Sequence, residues 1–306
     1  MLASRFQTSI AQEWPNEQTS GPFDVMLALH ARRSAKSIGA WAKAQGATQN
    51  AKGLGLVLTG TDLYRDIDVD AQAQASLDLA QQLVVLQECG PQRLPPGLRS
   101  KARVIFQSTT ARQTLPKTGR HLRAVMVGHL RDEKSPQTLF EAAHLLRGHT
   151  DIFIDHVGEP LDAELGRQAQ QTAAACPNYR WLGGVAHETT RRHIQRAHVL
   201  VHASKMEGGA HVVMEAVCSG TPVLASDIAG NVGMLGADYP GYFEHGNARQ
   251  LADLLLRLRA DQLNDADTAP DRLLLRLQAH CHERARLFAP ENEQAALVQL
   301  VGDLLK

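Results

Sequence analysis

The sequence predicts an α/β protein with parallel sheets, organised in two domains. Short apolar runs alternate with helix-like segments along most of the 306 residues. That alternation is typical of parallel strands joined by helices. It is interrupted at 107–121, a polar stretch with Pro and Gly that has the composition of a linker, and it then restarts. We therefore expect an N-terminal domain of residues 1–112, a second domain of 113–288 and a C-terminal helix of 289–306.

In the first domain the apolar runs predict strands and the segments between them predict helices. The expected strands are 6–14, 24–30, 55–59, 83–86 and 103–106, and the expected helices are 34–45 and 71–82.

The second domain repeats the pattern more regularly. Ser135 is a good N-cap and Pro136 suits the first position of a helix that Gly148 ends. Further helices are expected at 163–175, 188–196, 211–219, 248–259, 270–287 and 290–306, with 261–268 as a loop. The expected strands are 124–127, 152–157, 179–182, 198–203, 222–225 and 242–243.

Composition excludes several classes of protein. Lys plus Arg equals Asp plus Glu, at 32 each, so net charge gives no reason to expect a nucleic acid as partner. The four cysteines are scattered, which favours a reducing compartment over a disulfide framework. No apolar run approaches the length of a membrane helix, and the first residues contain no signal core. We expect a cytoplasmic protein without stable membrane insertion, and the oligomeric state stays open.

The segment Glu207-Gly-Gly-Ala-His-Val-Val-Met-Glu215 is the most informative in the chain. It is predicted to join a strand to a helix at the carboxyl edge of a parallel sheet, where such folds bind ligands. Gly208 and Gly209 let backbone approach a ligand, and the first amides of the next helix suit an anion. Carboxylates can bind the hydroxyls of a sugar, and backbone amides can bind a diphosphate, so the segment favours a sugar nucleotide as ligand. Two glutamates at this spacing also occur by chance.

Three further groups of residues follow predicted strands. Arg131 and Lys134, in Gly128-His-Leu-Arg-Asp-Glu-Lys134, can meet a diphosphate beside a helix start, or can form a solvated charged turn. His30, Arg32 and Arg33 can hold a phosphate-like anion, or simply begin a basic helix. Asp62 can be a base, a hydroxyl clamp or a helix cap.

Other chemistries are disfavoured. Asp66-Ile-Asp-Val-Asp70 resembles a metal motif but stands before a helix, where carboxylates act as caps. His187 and His193 have the wrong spacing for two ligands on one helical face, so we expect no metal and no cofactor. The glycine fingerprint of dinucleotide-binding folds, the P-loop and the Gly-x-Ser-x-Gly elbow are all absent from the sequence.

Taken together, Val127-Gly128, Glu133-Lys134, the Glu-x7-Glu of 207 and 215, and Gly220-Thr-Pro-Val-Leu-Ala-Ser226 resemble the retaining GT-B glycosyltransferases. The resemblance implies two Rossmann-like domains facing across a cleft, with the last helix crossing back to the first domain. It implies that Lys134 binds the donor diphosphate, Glu215 the ribose hydroxyls, and that Glu207 lies beside the donor sugar. It also implies that five further residues contribute to the donor site: His129, Gly208, Gly209, Ala210 and His211.

A closer resemblance is carried by five segments: Leu-His-Ala-Arg-Arg-Ser34, Leu-Thr-Gly-Thr-Asp-Leu-Tyr-Arg65, His-Leu-Arg-Asp-Glu-Lys134, Tyr-Arg-Trp-Leu-Gly-Gly184 and Gly-Asn-Val-Gly-Met-Leu-Gly-Ala-Asp238. They are similar to selenosugar synthases of selenoneine biosynthesis. This implies a UDP-sugar donor, such as UDP-N-acetylglucosamine, and selenophosphate as the acceptor, bound by His30, Arg32, Arg33 and Asp62. Glu207, Lys134 and Arg131 are then the expected catalytic residues.

Two features depart from the family pattern. His129 stands where the family usually has Arg, and the chain is expected to begin after the first strand, Gly-rich loop and helix of the fold. The alternatives are a hexosyltransferase that uses a lipid or polysaccharide alcohol, a truncated nucleotide-sugar binder without activity, and a sugar-nucleotide epimerase.

Overall fold

The computed structural model describes residues 1–16, 22–263 and 272–306. Contacts between Cα atoms divide the chain into two compact units. Unit 1 comprises Met1–Ser108, Glu207–Gly209 and Leu287–Lys306, and unit 2 comprises Thr109–Met206 and Ala210–Arg286. Each unit contains one sheet, and every strand pairing in both sheets is parallel.

The sheet of unit 1 has four strands in the order β1-β2-β3-β4. They are β1 (Met26–Leu29), β2 (Ala51–Val57), β3 (Ala80–Val85) and β4 (Ala102–Val104). The helices of the unit are α1 (Ala35–Ala44), α2 (Ile67–Val69), α3 (Ala71–Leu79), α4 (Gly90–Arg93) and α12 (Pro290–Leu304). Shorter 3-10 turns lie at Leu2–Ser4 and Pro96–Lys101, and Asp62–Asp66 is a π-helical turn.

Two apolar clusters hold unit 1 together. The larger contains Ile38, Trp41, Leu54, Leu56 and Leu77 among its fully buried side chains. Burying an aliphatic or aromatic side chain of this size stabilises a fold by roughly 1.5–3 kcal/mol. The smaller cluster joins α12 to the sheet through Leu300 and Leu304, which pack on Val84, Leu86 and Ile105. The last helix is therefore part of the core of the first unit.

The structure corrects two predictions in unit 1. Residues 6–14 form no strand, and Ile10 is fully exposed, so this segment lacks the buried face that a strand needs. The helix predicted for 71–82 ends at Leu79, because Ala80 begins β3 and the Gln81 side chain accepts a hydrogen bond from the Gly53 amide at 2.7 Å.

The sheet of unit 2 has six strands in the order β10-β9-β8-β5-β6-β7. They are β5 (Leu122–Val127), β6 (Ile152–Val157), β7 (Tyr179–Trp181), β8 (Val199–His202), β9 (Val223–Ser226) and β10 (Tyr242–Phe243). The helices are α5 (Pro136–Leu145), α6 (Ala163–Ala175), α7 (His187–Arg196), α8 (His211–Val217), α9 (Ala229–Leu235), α10 (Ala248–Leu263) and α11 (Leu273–Ala285). The 3-10 turns Asp132–Lys134 and Arg286–Phe288 complete the set.

Unit 2 differs from the sequence predictions in several of its helices, and α5 ends at Leu145 rather than at Gly148. Helix α9 was not predicted, since its two glycines are poor helix formers, but burial of Met234 and Leu235 offsets that preference. Helix α10 continues to Leu263, so the predicted loop 261–268 is helical at 261–263, and its remainder lies outside the described residues. The start predicted for the next helix at Pro270 also lies outside them, and α11 begins at Leu273.

None of the described helices has the length and apolar character needed to cross a membrane.

Candidate functional site

The strand order of unit 2 creates a switch point next to its central strand. β5 pairs with β6 on one side and with β8 on the other. The chain leaves β5 toward β6 and later returns to β8, so the loops that follow β5 and β8 diverge at the carboxyl edge of the sheet. In open parallel sheets such a point is where ligands bind. The loops that follow these strands contain residues 128–134 and 203–206.

The loop after β5 is held tightly against the loop after β6. The Gly128 amide donates to the Val157 carbonyl at 2.9 Å, and the Leu130 amide donates to the Glu159 carbonyl at 2.8 Å. A Cβ on Gly158 would lie 1.9 Å from the Gly128 carbonyl oxygen, so only glycine permits this approach. These contacts fix the backbone of the loop 128–134 and thereby the starting positions of its side chains.

His129 takes part in this clamp. The Glu159 amide donates to Nδ1 of His129 at 3.1 Å, and the imidazole is otherwise exposed. Because Nδ1 accepts a hydrogen bond, the proton of a neutral ring lies on Nε2. His129 can thus offer one neutral donor to a ligand, in place of the several charged donors of an arginine.

Lys134 and Arg131 lie close to the same glycine and turn. The aliphatic part of Lys134 covers Gly128, where an added Cβ would meet Cγ of the lysine at 3.3 Å. Arg131 is exposed, and its Nε lies 4.0 Å from Oε2 of Glu133. Both cations belong to the loop at the switch point, and the contact between the Arg131 guanidinium and Glu133 is long.

Ser135 begins the next helix without capping it. Its φ and ψ are 46° and 53°, and no side-chain capping hydrogen bond is formed, which corrects the predicted N-cap interaction. Instead Oγ of Ser135 lies 2.9 Å from Nε2 of His245. The left-handed backbone turns the hydroxyl away from the helix amides, so Ser135 serves the turn rather than the helix.

The loop after β8 joins the loop after β5. The Lys205 amide donates to the Glu133 carbonyl at 3.0 Å, and its ammonium pairs with Asp132. Deeper in the unit, the Ser226 hydroxyl donates to the Ser204 carbonyl at 2.5 Å, and the Asn231 amide donates to the Ser226 hydroxyl at 3.0 Å. This network fixes the ends of β8 and β9 relative to each other.

Glu215 is the most heavily constrained acid of the predicted site. Its carboxylate is buried, and one oxygen, Oε1, lies 2.5 Å from Nε2 of His187, 3.4 Å from Nδ1 of His211 and 3.8 Å from Nε of Arg191. Burial raises the pKa of Glu215, but hydrogen bonds from His211 and His187 outweigh burial, so the pKa lies below its ordinary value. The acid is therefore charged at neutral pH, and Oε2 stands apart from these three contacts.

His187 and Arg191 are the residues that sequence reasoning missed. They are four positions apart on α7 and so share one helical face. Arg191 is buried and also donates to the hydroxyl of Thr110 at 2.8 Å. The available signal was this four-residue spacing within a helix just before β8, whereas the sequence analysis weighed His187 only together with His193, as a metal pattern.

Ala210 and His211 open α8. Ala210 is buried at the N-cap and its side chain has no acceptor with which to cap the helix. His211 is exposed and contacts Glu215 through Nδ1. The start of this helix stands in the same unit as Lys134, Arg131 and Glu215.

Glu207, Gly208 and Gly209 belong to unit 1 by their contacts. A Cβ on Gly208 would lie 2.5 Å from the Gly60 nitrogen, and one on Gly209 would lie 2.7 Å from Cβ of Leu86. Packing inside the protein is therefore a sufficient reason for both glycines, in addition to the predicted approach of a ligand. Glu207 is partly buried beside the Gly60 backbone.

The four residues predicted at the first two strands of unit 1 do meet at one edge of its sheet. His30 is buried and Arg32 and Arg33 are exposed. Asp62 is fully buried, and its carboxylate accepts from the Ala31 amide at 2.9 Å and from both the amide and the hydroxyl of Thr59 at 2.7 Å. Asp62 thus fixes the two loops to each other, and it forms no side-chain hydrogen bond that caps the turn it begins, so the predicted cap is corrected. Nδ1 of His30 lies 3.9 Å from Oδ2 of Asp62.

The acidic run after the π-helical turn acts locally. Oδ1 of Asp70 accepts from the Ala73 amide at 2.9 Å and caps α3. Across the described residues, no three His, Cys, Asp or Glu side chains are grouped in a way that suits a metal ion.

The two parallel-stranded units define an α/β protein of the GT-B class. The sequence model for "Glycosyl transferases group 1" matches residues 107–273, more than half of the chain. The chain therefore belongs to the group 1 glycosyltransferases.

Similar proteins agree with this assignment. The chain is 30% identical over 176 residues to a D-inositol 3-phosphate glycosyltransferase of Geodermatophilus obscurus, covering 53% of this chain and 39% of that protein. Sucrose-phosphate synthase of Thermosynechococcus elongatus superposes with a TM-score of 0.70 at 20% identity, over 92% of this chain and 74% of that one. Anabaena HepE in complex with UDP-glucose gives 0.67 at 15% identity, over 92% and 79%. The chain thus spans well under half of the curated relative, and the structural likenesses show the fold.

Proposed function

We propose that the chain transfers a sugar from a UDP-sugar, UDP-N-acetylglucosamine in the first instance, to selenophosphate. The observation that carries the donor half is that Lys134, in the loop at the switch point, and Glu215 lie in the same unit. A lysine laid over Gly128 suits a diphosphate, and a buried, charged carboxylate suits the ribose hydroxyls.

The proposed reaction has two steps. The selenium of selenophosphate attacks C1 of the sugar, a Se–C1 bond forms, and the bond from C1 to the diphosphate oxygen breaks with its electrons going to UDP. Water then cleaves the P–Se bond, releasing phosphate and the selenosugar. Lys134 and Arg131 neutralise charge that grows on the departing diphosphate, a contribution that is often the largest in catalysis. Glu207 is proposed to lie beside the donor sugar.

Support for selenophosphate comes from the five sequence segments that resemble selenosugar synthases, and from Arg32 and Arg33 at the edge of the unit 1 sheet. Two exposed arginines suit a small, highly charged acceptor better than a neutral alcohol.

A second candidate acceptor is a phosphorylated polyol. It is favoured by one observation, the 30% identity to a protein named D-inositol 3-phosphate glycosyltransferase. Both acceptors share a phosphate-type group, whereas a lipid or polysaccharide alcohol does not.

The direct test mixes the full chain with UDP-N-acetylglucosamine and selenophosphate and seeks a selenium-bearing sugar by mass spectrometry. One control omits selenophosphate. Two further controls replace it, one with glycerol as a neutral alcohol and one with inositol 3-phosphate as a phosphorylated polyol. UDP release that ignores selenophosphate but requires a phosphorylated polyol supports the second candidate. Conversion of the UDP-sugar into an epimeric UDP-sugar, with no acceptor present, contradicts both candidates and indicates an epimerase.

A further inference from the structure

Glu207 lies on a stretch of three residues that belongs to unit 1, although the chain before and after it belongs to unit 2. The loop that follows β2 contacts this stretch backbone to backbone. A Cβ added to Gly208 would lie 2.5 Å from the nitrogen of Gly60 and 2.9 Å from the carbonyl oxygen of Thr59. A Cβ added to Gly60 would lie 2.9 Å from the nitrogen of Gly208 and 3.4 Å from the carbonyl carbon of Glu207. Because glycine stands on both sides of the contact, a shift of one backbone displaces the other.

A second support lies one residue further along the stretch. A Cβ added to Gly209 would lie 2.7 Å from Cβ of Leu86 and 3.5 Å from Oε1 of Gln107. Leu86 is buried in the smaller apolar cluster of unit 1, so this side of the stretch rests on packed core, which adjusts little. The location of Glu207 therefore depends on a core contact at Gly209 and on the conformation of the loop after β2.

Asp62 fixes the conformation of that loop. Its side chain is 0% exposed, and Oδ1 accepts hydrogen bonds at 2.7 Å from both the amide and the hydroxyl of Thr59. Oδ2 accepts from the amide of Ala31 at 2.9 Å, which ties the carboxylate to the loop after β1. Both oxygens act as acceptors, so the ionised carboxylate is satisfied by these three donors. Its negative charge is thus stabilised inside the protein, and no part of the side chain is open to a ligand.

His30 is a second link between the same two loops. The Arg33 amide donates to Nδ1 of His30 at 3.4 Å, so the proton of a neutral ring lies on Nε2. Nε2 lies 3.1 Å from Oγ1 of Thr61, the residue after Gly60. Nδ1 also lies 3.9 Å from Oδ2 of Asp62, which is beyond hydrogen-bonding distance. The loop after β2 is thus held on both sides of Gly60.

We infer that Asp62 positions Glu207 for the proposed sugar transfer, and that it does so through the backbone of Thr59 and Gly60 without touching either substrate. The inference rests on the proposed function, because that function places Glu207 beside the donor sugar. A displacement of about 1 Å at a reacting centre can cost on the order of a hundredfold in rate. The residues proposed to bind the diphosphate and the ribose are not part of this set of contacts. Disturbing the contacts should therefore lower kcat and leave both KM values unchanged.

Two substitutions of Thr59 form a matched pair. Thr59→Val keeps the shape of the side chain but removes the hydroxyl that donates to Asp62, whereas Thr59→Ser keeps that hydroxyl. With UDP-N-acetylglucosamine and selenophosphate, kcat should fall about tenfold or more in Thr59→Val and stay within about twofold of normal in Thr59→Ser. Thr48→Val, the same change at an exposed threonine of unit 1, should have normal kinetics. Both KM values and UDP affinity should remain normal in all three variants.

Gly60→Ala disturbs the same contact while leaving the hydrogen bonds of Asp62 in place. The new Cβ would meet the nitrogen of Gly208 at 2.9 Å, so the backbone of Glu207 and Gly208 must move. We expect kcat to fall at least about threefold, again with both KM values unchanged. Gly39→Ala, in α1 with no neighbour within 4 Å of the added Cβ, is the control. If the valine variant does not fold, this alanine variant carries the test.

Amide hydrogen exchange gives a readout that needs no turnover. Exchange of the peptide that contains residues 207–209 should be faster in Thr59→Val than in Thr59→Ser, because a local contact that opens more often exposes its amides. Exchange in α10, which belongs to unit 2, should be the same in both variants and shows that the rest of the fold is intact.

The outcomes separate this inference from the proposed function. A raised KM for selenophosphate with a normal kcat in Thr59→Val indicates that the loop contacts the acceptor, and it overturns the inference. Normal kcat, or normal exchange at 207–209, in both Thr59→Val and Gly60→Ala also overturns it. Absence of selenosugar with the unmodified chain, together with the expected change in exchange, overturns the proposed function and leaves the structural role of Asp62 standing.

Discussion

His187 Nε2 lies 2.5 Å from Oε1 of Glu215, and this contact joins the start of α7 to the interior of α8. The same oxygen faces His211 and the buried Arg191. Together these groups keep a buried carboxylate charged and oriented, while Oε2 remains outside the three contacts. On the proposed function, that arrangement presents an acceptor to the hydroxyls of a ribose.

Replacing Glu215 with Gln should weaken binding of both uridine and UDP. Loss of a hydrogen bond to a charged group costs roughly 1.5–3 kcal/mol, which corresponds to about ten- to a hundredfold in affinity. Calorimetry with each ligand measures the effect, and Glu141→Gln on the exposed face of α5 is the control. Unchanged affinity for uridine would remove Glu215 from the ribose site.

Lys134→Gln should discriminate between the same two ligands. Because the lysine is proposed to contact the diphosphate, UDP affinity should fall roughly tenfold or more while uridine affinity is retained. Arg147→Gln, an exposed cation of the same unit, controls for the change in net charge. A parallel loss for uridine would show that Lys134 supports the fold of the loop rather than the diphosphate.

Glu207→Gln should leave UDP affinity intact and lower turnover. The substitution retains size and hydrogen bonding but removes the charge beside the proposed position of the donor sugar. The measurement is kcat with UDP-N-acetylglucosamine and selenophosphate, alongside UDP titration. If Glu207→Gln and Glu215→Gln lose UDP affinity equally, the proposed division of roles between the two glutamates is wrong.

His156 should make stability depend on pH over a defined range. It is fully buried on β6, and burial lowers its pKa to about 4 from 6.5, although a hydrogen bond to the backbone of Gly128 opposes part of that shift. Between pH 6.5 and 4 the unfolded chain takes up a proton that the folded chain refuses, so stability falls as pH falls.

The size of that loss is up to about 3 kcal/mol across the range. It is measured by urea unfolding at several pH values, and His156→Gln should abolish this part of the pH dependence. The exposed His149→Gln should keep it. Identical pH profiles for His156→Gln and the unmodified chain would show that His156 is not the group responsible.

Gly208→Ala should destabilise the chain, because the new Cβ would meet the Gly60 nitrogen at 2.5 Å. Steric crowding of this kind costs roughly 1–3 kcal/mol. Gly302→Ala, inside α12 with no neighbour within 4 Å of the added Cβ, should instead stabilise by roughly 0.5–1 kcal/mol. Thermal unfolding distinguishes the two, and equal melting temperatures would mean that the loop around Gly208 adapts freely.

The fold could be predicted from the sequence because its signals are local. β6 and α6 were predicted residue for residue, since an apolar run and an Asp162 cap define them without help from the rest of the chain. Helix α9 was not predicted, because its glycines disfavour a helix and only burial in the folded unit stabilises it. The supposed strand at 6–14 shows the opposite case, an apolar pattern that has no partner strand among the described residues.

The contacts of the candidate site were harder to predict from the sequence than the fold. Placing Lys134 and Glu215 in one unit required only the order of strands and helices, which the sequence shows. The contacts of Glu215 with His187, and of Asp66 with Arg32 and Arg65, depend on how helices and turns pack across tens of residues. Spacing can suggest which face of a helix a residue occupies, but not which carboxylate it will meet.

The packing of α12 on the sheet of unit 1 has a consequence for biosynthesis. Leu300 and Leu304, which cover Val84, Leu86 and Ile105, leave the ribosome after every residue of unit 2. Unit 2 has all of its sequence available earlier. We expect the second unit to fold during translation while the first keeps an uncovered apolar face until α12 has been synthesised, a period in which chaperones would find a binding surface there.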